Sequence, residues 1–99
     1  MYTFVYDATG KPVGFIRGNF IHDMHGNAVG QIRETHVHHM NGAYVGELHR
    51  QMVVDKYLGQ LRNVGTPSNP GNPGHPGSPG NRGVINVGYP DVFERLLER

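Results

Sequence analysis

Aliphatic residues recur along the first two thirds of the chain at a fixed interval of sixteen: Val5, Ile21, Val37 and Val53. A second series, Val13, Val29, Val45 and Leu58, and a third, Ile16, Ile32, Leu48 and Leu61, run beside it. The series belong to four similar segments: YDATGKPVGFIR at 6–17, HDMHGNAVGQIR at 22–33, HHMNGAYVGELH at 38–49 and VDKYLGQLR at 54–62. Their second glycines are Gly14, Gly30, Gly46 and Gly59, so the last interval is three residues shorter than the others. Those three residues are missing between Val54 and Leu58, where the other segments carry a turn glycine, and deletions are tolerated in exposed turns. Each unit therefore reads as strand, turn, strand, and the chain as four tandem β-hairpins.

A single hairpin has too little apolar face to stand alone, so the four must share a core. An open stack of repeats normally ends in polar capping units. Here the first and last units keep VGFIR and LGQLR, which favours an all-β domain closed into a pseudo-fourfold ring. Centring the fourth hairpin on Asp55-Lys56 sets Val53 opposite Leu58 and Met52 opposite Gly59; the same register sets Val5 opposite Val13 and Phe4 opposite Gly14. A glycine facing a larger residue marks a β-bulge or leaves room for a close approach, and the pattern admits both.

Four hairpins with a D-x-x-G-x-x-V-G-x-I-R type signature resemble the four-fold β-flower domain, a small bacterial module. The resemblance runs over about residues 2–64, departing in the third unit at His39 and His49 and in the fourth at the missing turn glycine. What it implies is a fold, with no established activity.

The composition changes at residue 66. Three stretches follow: a hairpin domain at 1–65, a Pro/Gly-rich extended linker at 66–83, and a short apolar segment with a C-terminal amphipathic helix at 84–99. Gly71, Gly74, Gly77, Gly80 and Gly83 keep a three-residue spacing with proline before four of them. That is the collagen pattern, too short for a triple helix, so a polyproline II spacer is expected. In VINVGYPDVFERLLER, VINV reads as strand-like, Asp91 as an N-cap with Glu94 in a capping box, and Val92, Phe93, Leu96 and Leu97 as one apolar helix face. So short a helix must dock, on its own ring or on a neighbour.

Hydrophobic residues make up 36% of the 99, and 15 Gly with 7 Pro exclude a helical bundle. A formal charge of +1 disfavours nucleic acid and anionic membranes as partners, and no apolar run is long enough to span a bilayer, so a cytoplasmic protein is expected. The absence of cysteine removes disulfides, thiol catalysis and cysteine metal sites. The two serines, Ser68 and Ser78, lie in the Pro/Gly stretch, and neither a phosphate loop nor a nucleophile elbow is present, so no catalytic residue is assigned.

Seven histidines are the unusual feature, six of them in the second and third units. His36 and His38 fall on one strand face and His22 is equivalent to His38, which makes His22, His36 and His38 the candidate ligand set for Zn or Ni. Arg17, Arg33, His49 and Arg62 share one repeat position and form a candidate anion or partner site. No other cofactor is indicated. The leading reading is a non-enzymatic β-repeat module for assembly or partner binding, with a histidine-dependent divalent-metal protein as the alternative. Apolar residues on both strand faces, with Phe4, Phe20 and Met52 in one series and Tyr6 and Val54 in another, point to a homo-oligomer, and the C-terminal helix to contact with a protein partner.

Overall fold

A computed structural model describes residues 2–98. Its seven strands are β1 Thr3–Tyr6, β2 Pro12–Arg17, β3 Phe20–Asp23, β4 Ala28–Arg33, β5 His36–His39, β6 Tyr44–His49 and β7 Met52–Val54, with a single turn of helix, α1, at Glu94–Leu97. They form one antiparallel sheet in sequence order. The sheet curls until Tyr6 donates its backbone N–H to Gln51 O at 2.7 Å and Gln51 Nε2 reaches Phe4 O at 3.2 Å, leaving the barrel nearly closed.

Two kinds of turn alternate. At one rim two-residue connections bend the chain at Gly18-Asn19, Glu34-Thr35 and Arg50-Gln51, with left-handed backbone at Gly18, Glu34, Arg50 and Gln51. At the other rim a longer turn is organised by its first residue. Asp7 Oδ1 accepts the backbone N–H groups of Thr9 and Lys11, and Asp23 Oδ1 those of His25 and Asn27. This explains the repeated aspartate, and where His39 replaces it the turn is held instead by Asn41 Oδ1, bonded to Ala43 N.

The observed register differs by one residue from the expectation. Val5 faces Gly14 and Phe4 faces Phe15, with a bulge between Val5 and Tyr6; equivalent bulges follow Ile21 and Val37. Each glycine thus shares a face with the Val5, Ile21, Val37 and Val53 series, and those four residues are fully buried. Both readings of the glycine hold together, since a bulge and a close approach occur in the same hairpins.

The fourth hairpin is the main correction. Residues 55–62 form no strand, and Leu58 is 51% exposed. Val54 pairs instead with Asp91, far along the chain. Asp55 N–H bonds to Pro90 O at 3.0 Å, as Asp7, Asp23 and His39 bond to Lys11, Asn27 and Ala43, and Val92 N–H bonds to Val53 O at 2.9 Å. The second strand of the last hairpin is therefore residues 90–92, and 56–89 is its greatly enlarged turn. LGQLR resembles a repeat in sequence but has no partner in the sheet.

Beyond the bridge the tail enters the ring. An added Cβ would lie 3.0 Å from Phe93 Cζ at Gly14, 3.0 Å from Leu96 Cδ2 at Gly30 and 2.9 Å from Val92 Cγ2 at Gly46. Three glycines related by the repeat thus floor three seats, each filled by a different apolar side chain. Burying each of these side chains is worth about 1.5–3 kcal/mol relative to exposure. The helix is shorter than expected: Leu97 is 52% exposed, Glu94 makes no capping-box bond, and Asp91 Oδ1 accepts from Phe93 N at 3.0 Å. VINV forms no strand either.

The Pro/Gly stretch is a strap laid along the hairpin turns. Gly71, Gly74, Gly77, Gly80 and Gly83 have φ between 79° and 88°, which excludes both polyproline II and collagen geometry. Gly71 N is bonded by Asn69 Oδ1, Gly74 N by Asn72 Oδ1, Gly77 N by His75 Nδ1 and Gly80 N by Ser78 Oγ. The motif is a chain of Pro-Gly turns, each closed by the polar side chain before proline. Among the contacts that this stretch and the residues leading into it make with the ring, three fall on equivalent hairpin turns. Val64 N–H bonds to Gly42 O at 2.9 Å, Asn72 Nδ2 to Asn27 Oδ1 at 3.1 Å beside Gly26, and Arg82 N–H to Gly10 O at 2.9 Å.

Candidate functional site

The sheet face opposite the aliphatic core carries three parallel rows across the strands. Phe4, Phe15 and His22 form the first, Phe20, Gln31 and His38 the second, and His36, Glu47 and Val54 the third. The middle members are Phe15, Gln31 and Glu47, all buried. A carboxylate thus occupies a position that its first equivalent fills with phenylalanine.

Glu47 is accommodated because three donors converge on it, from β5, from β6 and from the β4–β5 turn. His36 Nδ1 lies 2.7 Å and Tyr44 Oη 2.7 Å from Oε2, and Thr35 Oγ1 lies 2.9 Å from Oε1. Burial pushes the Glu47 carboxyl up, but the hydrogen bonds from His36, Tyr44 and Thr35 outweigh it and hold the group below its ordinary value. Burial, followed by the Glu47 contact, drives the Tyr44 phenol well above its own. With Nδ1–H committed to Glu47, the His36 ring presents Nε2 as its remaining polar atom, and the side chain is 38% exposed. A carboxylate-oriented imidazole of this kind can move a proton or ligate a cation.

The other two sequence candidates are placed differently. His22 and His38 are buried, and each donates Nδ1–H to the carbonyl of its own turn glycine, Gly26 at 2.9 Å and Gly42 at 3.0 Å. They hold the turns on which the strap rests. His22 also stacks on Phe15, with ring centroids 5.1 Å apart, and its Nε2 is buried without a protein partner. Tyr44 sits edge-on to both His36 and His38. Among the described residues no group of three or more His, Cys, Asp or Glu side chains is arranged to hold a metal ion.

Arg17, Arg33 and His49 end β2, β4 and β6 at one rim, whereas Arg62 lies outside any strand. They address separate partners: Arg17 reaches Pro70 O at 3.4 Å, Arg33 reaches Gln31 Oε1 at 3.4 Å, and His49 packs edge-on against Tyr89. Desolvation and the Lys56 and Arg50 charges hold the His49 imidazole below its ordinary value.

Where the strap leaves and rejoins the ring, Tyr57 is 71% and Tyr89 37% exposed, their rings 6.3 Å apart, with Leu58 beside Tyr57 in the chain. Lys56 Nζ stands 5.5 Å over the Tyr89 ring. Tyr57 is held in left-handed backbone at φ 62°, an unusual conformation for an aromatic residue, and Asp55 Oδ1 accepts its N–H at 2.8 Å. Sequence reasoning missed this patch as well as Tyr44, Glu47 and Thr35. The legible signal for the cluster was a glutamate at a repeat position occupied by Phe15 and Gln31.

Residues 3–89 match the profile of the 4-fold beta flower protein family, and the chain belongs to that family. The match runs through the strap, beyond the hairpins that carry the resemblance in sequence. No curated protein and no solved structure matches the chain. The family is a small β-flower domain of unknown function. No helix among the described residues is long and apolar enough to cross a membrane.

Proposed function

We propose that the protein is a non-enzymatic assembly module in which the ring and strap present a recognition surface for another copy of the chain. The observation that carries this reading is the patch of Tyr57, Leu58 and Tyr89, apolar and aromatic, exposed at the junction of strap and ring. Aromatic residues on a rigid frame give large contact area at low entropic cost, and they are enriched in interfaces. The strap meets part of the second sheet face, with Gly65 O accepting from Gln31 Nε2 at 3.0 Å and Arg82 lying 4.3 Å over the Tyr6 ring, and the aromatic patch stands outside these contacts. Light scattering of the full chain against concentration tests it: association that is lost in Tyr57→Ser/Leu58→Ser supports the reading. A monomer up to about 1 mM, the range of weak homotypic contacts, overturns it.

A second reading, a histidine-dependent divalent-metal protein, is favoured by the Glu47–His36 pair, since metal-bound histidines commonly donate their other ring N–H to a carboxylate. In this reading His36 is the ligand with His22 and His38 in turn-holding roles. Calorimetric titration with Zn at pH 7.5 and 5.5, on the wild type and His36→Ala, tests it. Heats unchanged by the substitution or by acid would end it.

A further inference from the structure

The seat that receives the tail is built wholly by the ring. Val53 O and Asp55 N–H offer the main chain on either side of Val54, and Gly14, Gly30 and Gly46 floor the seats for Phe93, Leu96 and Val92. Cis seating needs almost no chain length, because Asp55 N and Pro90 O are 3.0 Å apart. Residues 56–89 nevertheless provide a tether that, extended at roughly 3.3 Å per residue, reaches about 110 Å. The whole molecule measures 34 Å along its longest axis. A tail released from its own ring therefore reaches a second one with length to spare.

We propose that the tail seat is an interaction site for the 90–97 segment of a second copy, so that chains assemble by exchanging tails; this rests on the assembly reading above and adds a second contact to that of the aromatic patch. The occupant is specified by fit. It must add main chain to Val53 and Asp55 in antiparallel register and offer apolar side chains with the spacing of residues 92, 93 and 96. The chain's own tail meets both requirements. Every contact between tail and ring is the same in the exchanged and unexchanged forms, so those energies cancel. The balance is left to the strap. Its bonds at Gly42, Asn27 and Gly10 favour the cis form, and protein concentration favours exchange. A tethered segment competes at an effective concentration in about the millimolar range, so exchange grows toward high protein concentration or when strap bonds are broken.

The absence of cysteine makes the test clean. Val54 and Asp91 form the narrow type of antiparallel pair, flanked by the Asp55–Pro90 and Val92–Val53 bonds, with Cα atoms about 4.5 Å apart, inside the range a disulfide spans. Full chains carrying Val54→Cys alone and Asp91→Cys alone are mixed and oxidised. A disulfide between the two variants then requires the tail of one in the ring of the other. The double variant Val54→Cys/Asp91→Cys, oxidised when dilute, gives the intrachain bond as reference. The expected result is a mixed disulfide that rises about tenfold or more from 10 µM to 1 mM above a control pair of Ser78→Cys with Asp91→Cys, and that disappears when the tail donor also carries Phe93→Asp. A mixed yield no greater than the control, or one indifferent to Phe93→Asp, overturns the proposal. A wild-type chain that still associates in light scattering would then keep the assembly reading and lose only tail exchange.

Discussion

The backbone N–H of Asp55 bonds to the carbonyl of Pro90 at 3.0 Å, closing the last hairpin across a turn that comprises residues 56–89. The tail is thus the missing strand of the ring, and its apolar side chains belong to the core. Phe93→Ala is expected to cost about 3–5 kcal/mol and Leu96→Ala about 2–5 kcal/mol, whereas Leu97→Ala, at a half-exposed position, changes stability little. Urea denaturation of the three variants gives the ranking, and an equal effect at Leu97 would contradict this tail packing.

The three seat glycines should differ in their tolerance of a methyl group. At Gly46 an added Cβ meets Val54 O at 2.5 Å, and at Gly14 it meets His22 O at 2.5 Å; neither backbone oxygen can yield. At Gly30 the first atom met is Leu96 Cδ2 at 3.0 Å, the end of a flexible side chain. Gly46→Ala and Gly14→Ala should each cost about 1–3 kcal/mol and Gly30→Ala less than either. Melting temperatures decide the order.

Acid should act through Glu47. Its folded carboxyl titrates below its ordinary value of 4.5, so the unfolded chain binds the proton more readily. The stability it contributes is complete above about pH 4.5 and is lost as pH falls through the lower folded value. Glu47→Gln is expected to flatten the fall in melting temperature below pH 4.5. A residual slope is expected from Asp7, which burial raises but the Thr9 and Lys11 hydrogen bonds hold below 3.8. An acid limb identical to that of the wild type would show that the cluster does not govern it.

Glu34 occupies left-handed backbone at φ 59° in an exposed tight turn. Replacing it with glycine removes a steric penalty of about 1 kcal/mol, partly offset by greater freedom of the unfolded chain. Glu34→Gly should raise the melting temperature by about 2–4 °C in a domain of this size, read by circular dichroism.

The sixteen-residue period was legible because Val5, Ile21, Val37 and Val53 really do line one interior, and burial of an aliphatic side chain constrains sequence strongly. The register was not, because a bulge after Val5 costs one residue in pairing and leaves the apolar pattern unchanged. The fourth hairpin misled for a different reason. Leu58, Gly59 and Leu61 imitate the motif, while the true partner strand is short, lies beyond the strap, and shares with the other repeats only Val92 at the place of Val13, Val29 and Val45. In the strap the Pro-Gly spacing was visible but not its geometry. Positive φ at Gly71, Gly74, Gly77 and Gly80 goes with bonds from the side chains of Asn69, Asn72, His75 and Ser78, a local bonding pattern that a three-residue period does not distinguish from collagen. The candidate chemistry was half visible: His36 was singled out, but its orienting partner Glu47 becomes apparent only when β5 and β6 are paired.

The strap's attachments at three equivalent hairpin turns bear on the order in which the molecule can assemble. Three local hairpins need only short loops, but joining Val54 to Asp91 directly would close one long loop, whose entropic cost rises as about (3/2)RT ln n with loop length. Anchoring Val64 at Gly42, then Asn72 beside Gly26, then Arg82 at Gly10 divides that search into successive short steps. Each anchor lies on the hairpin preceding the last in reverse order, so the strap leads the chain stepwise around the ring until Asp91 comes opposite Val54 and the tail side chains reach their glycine seats.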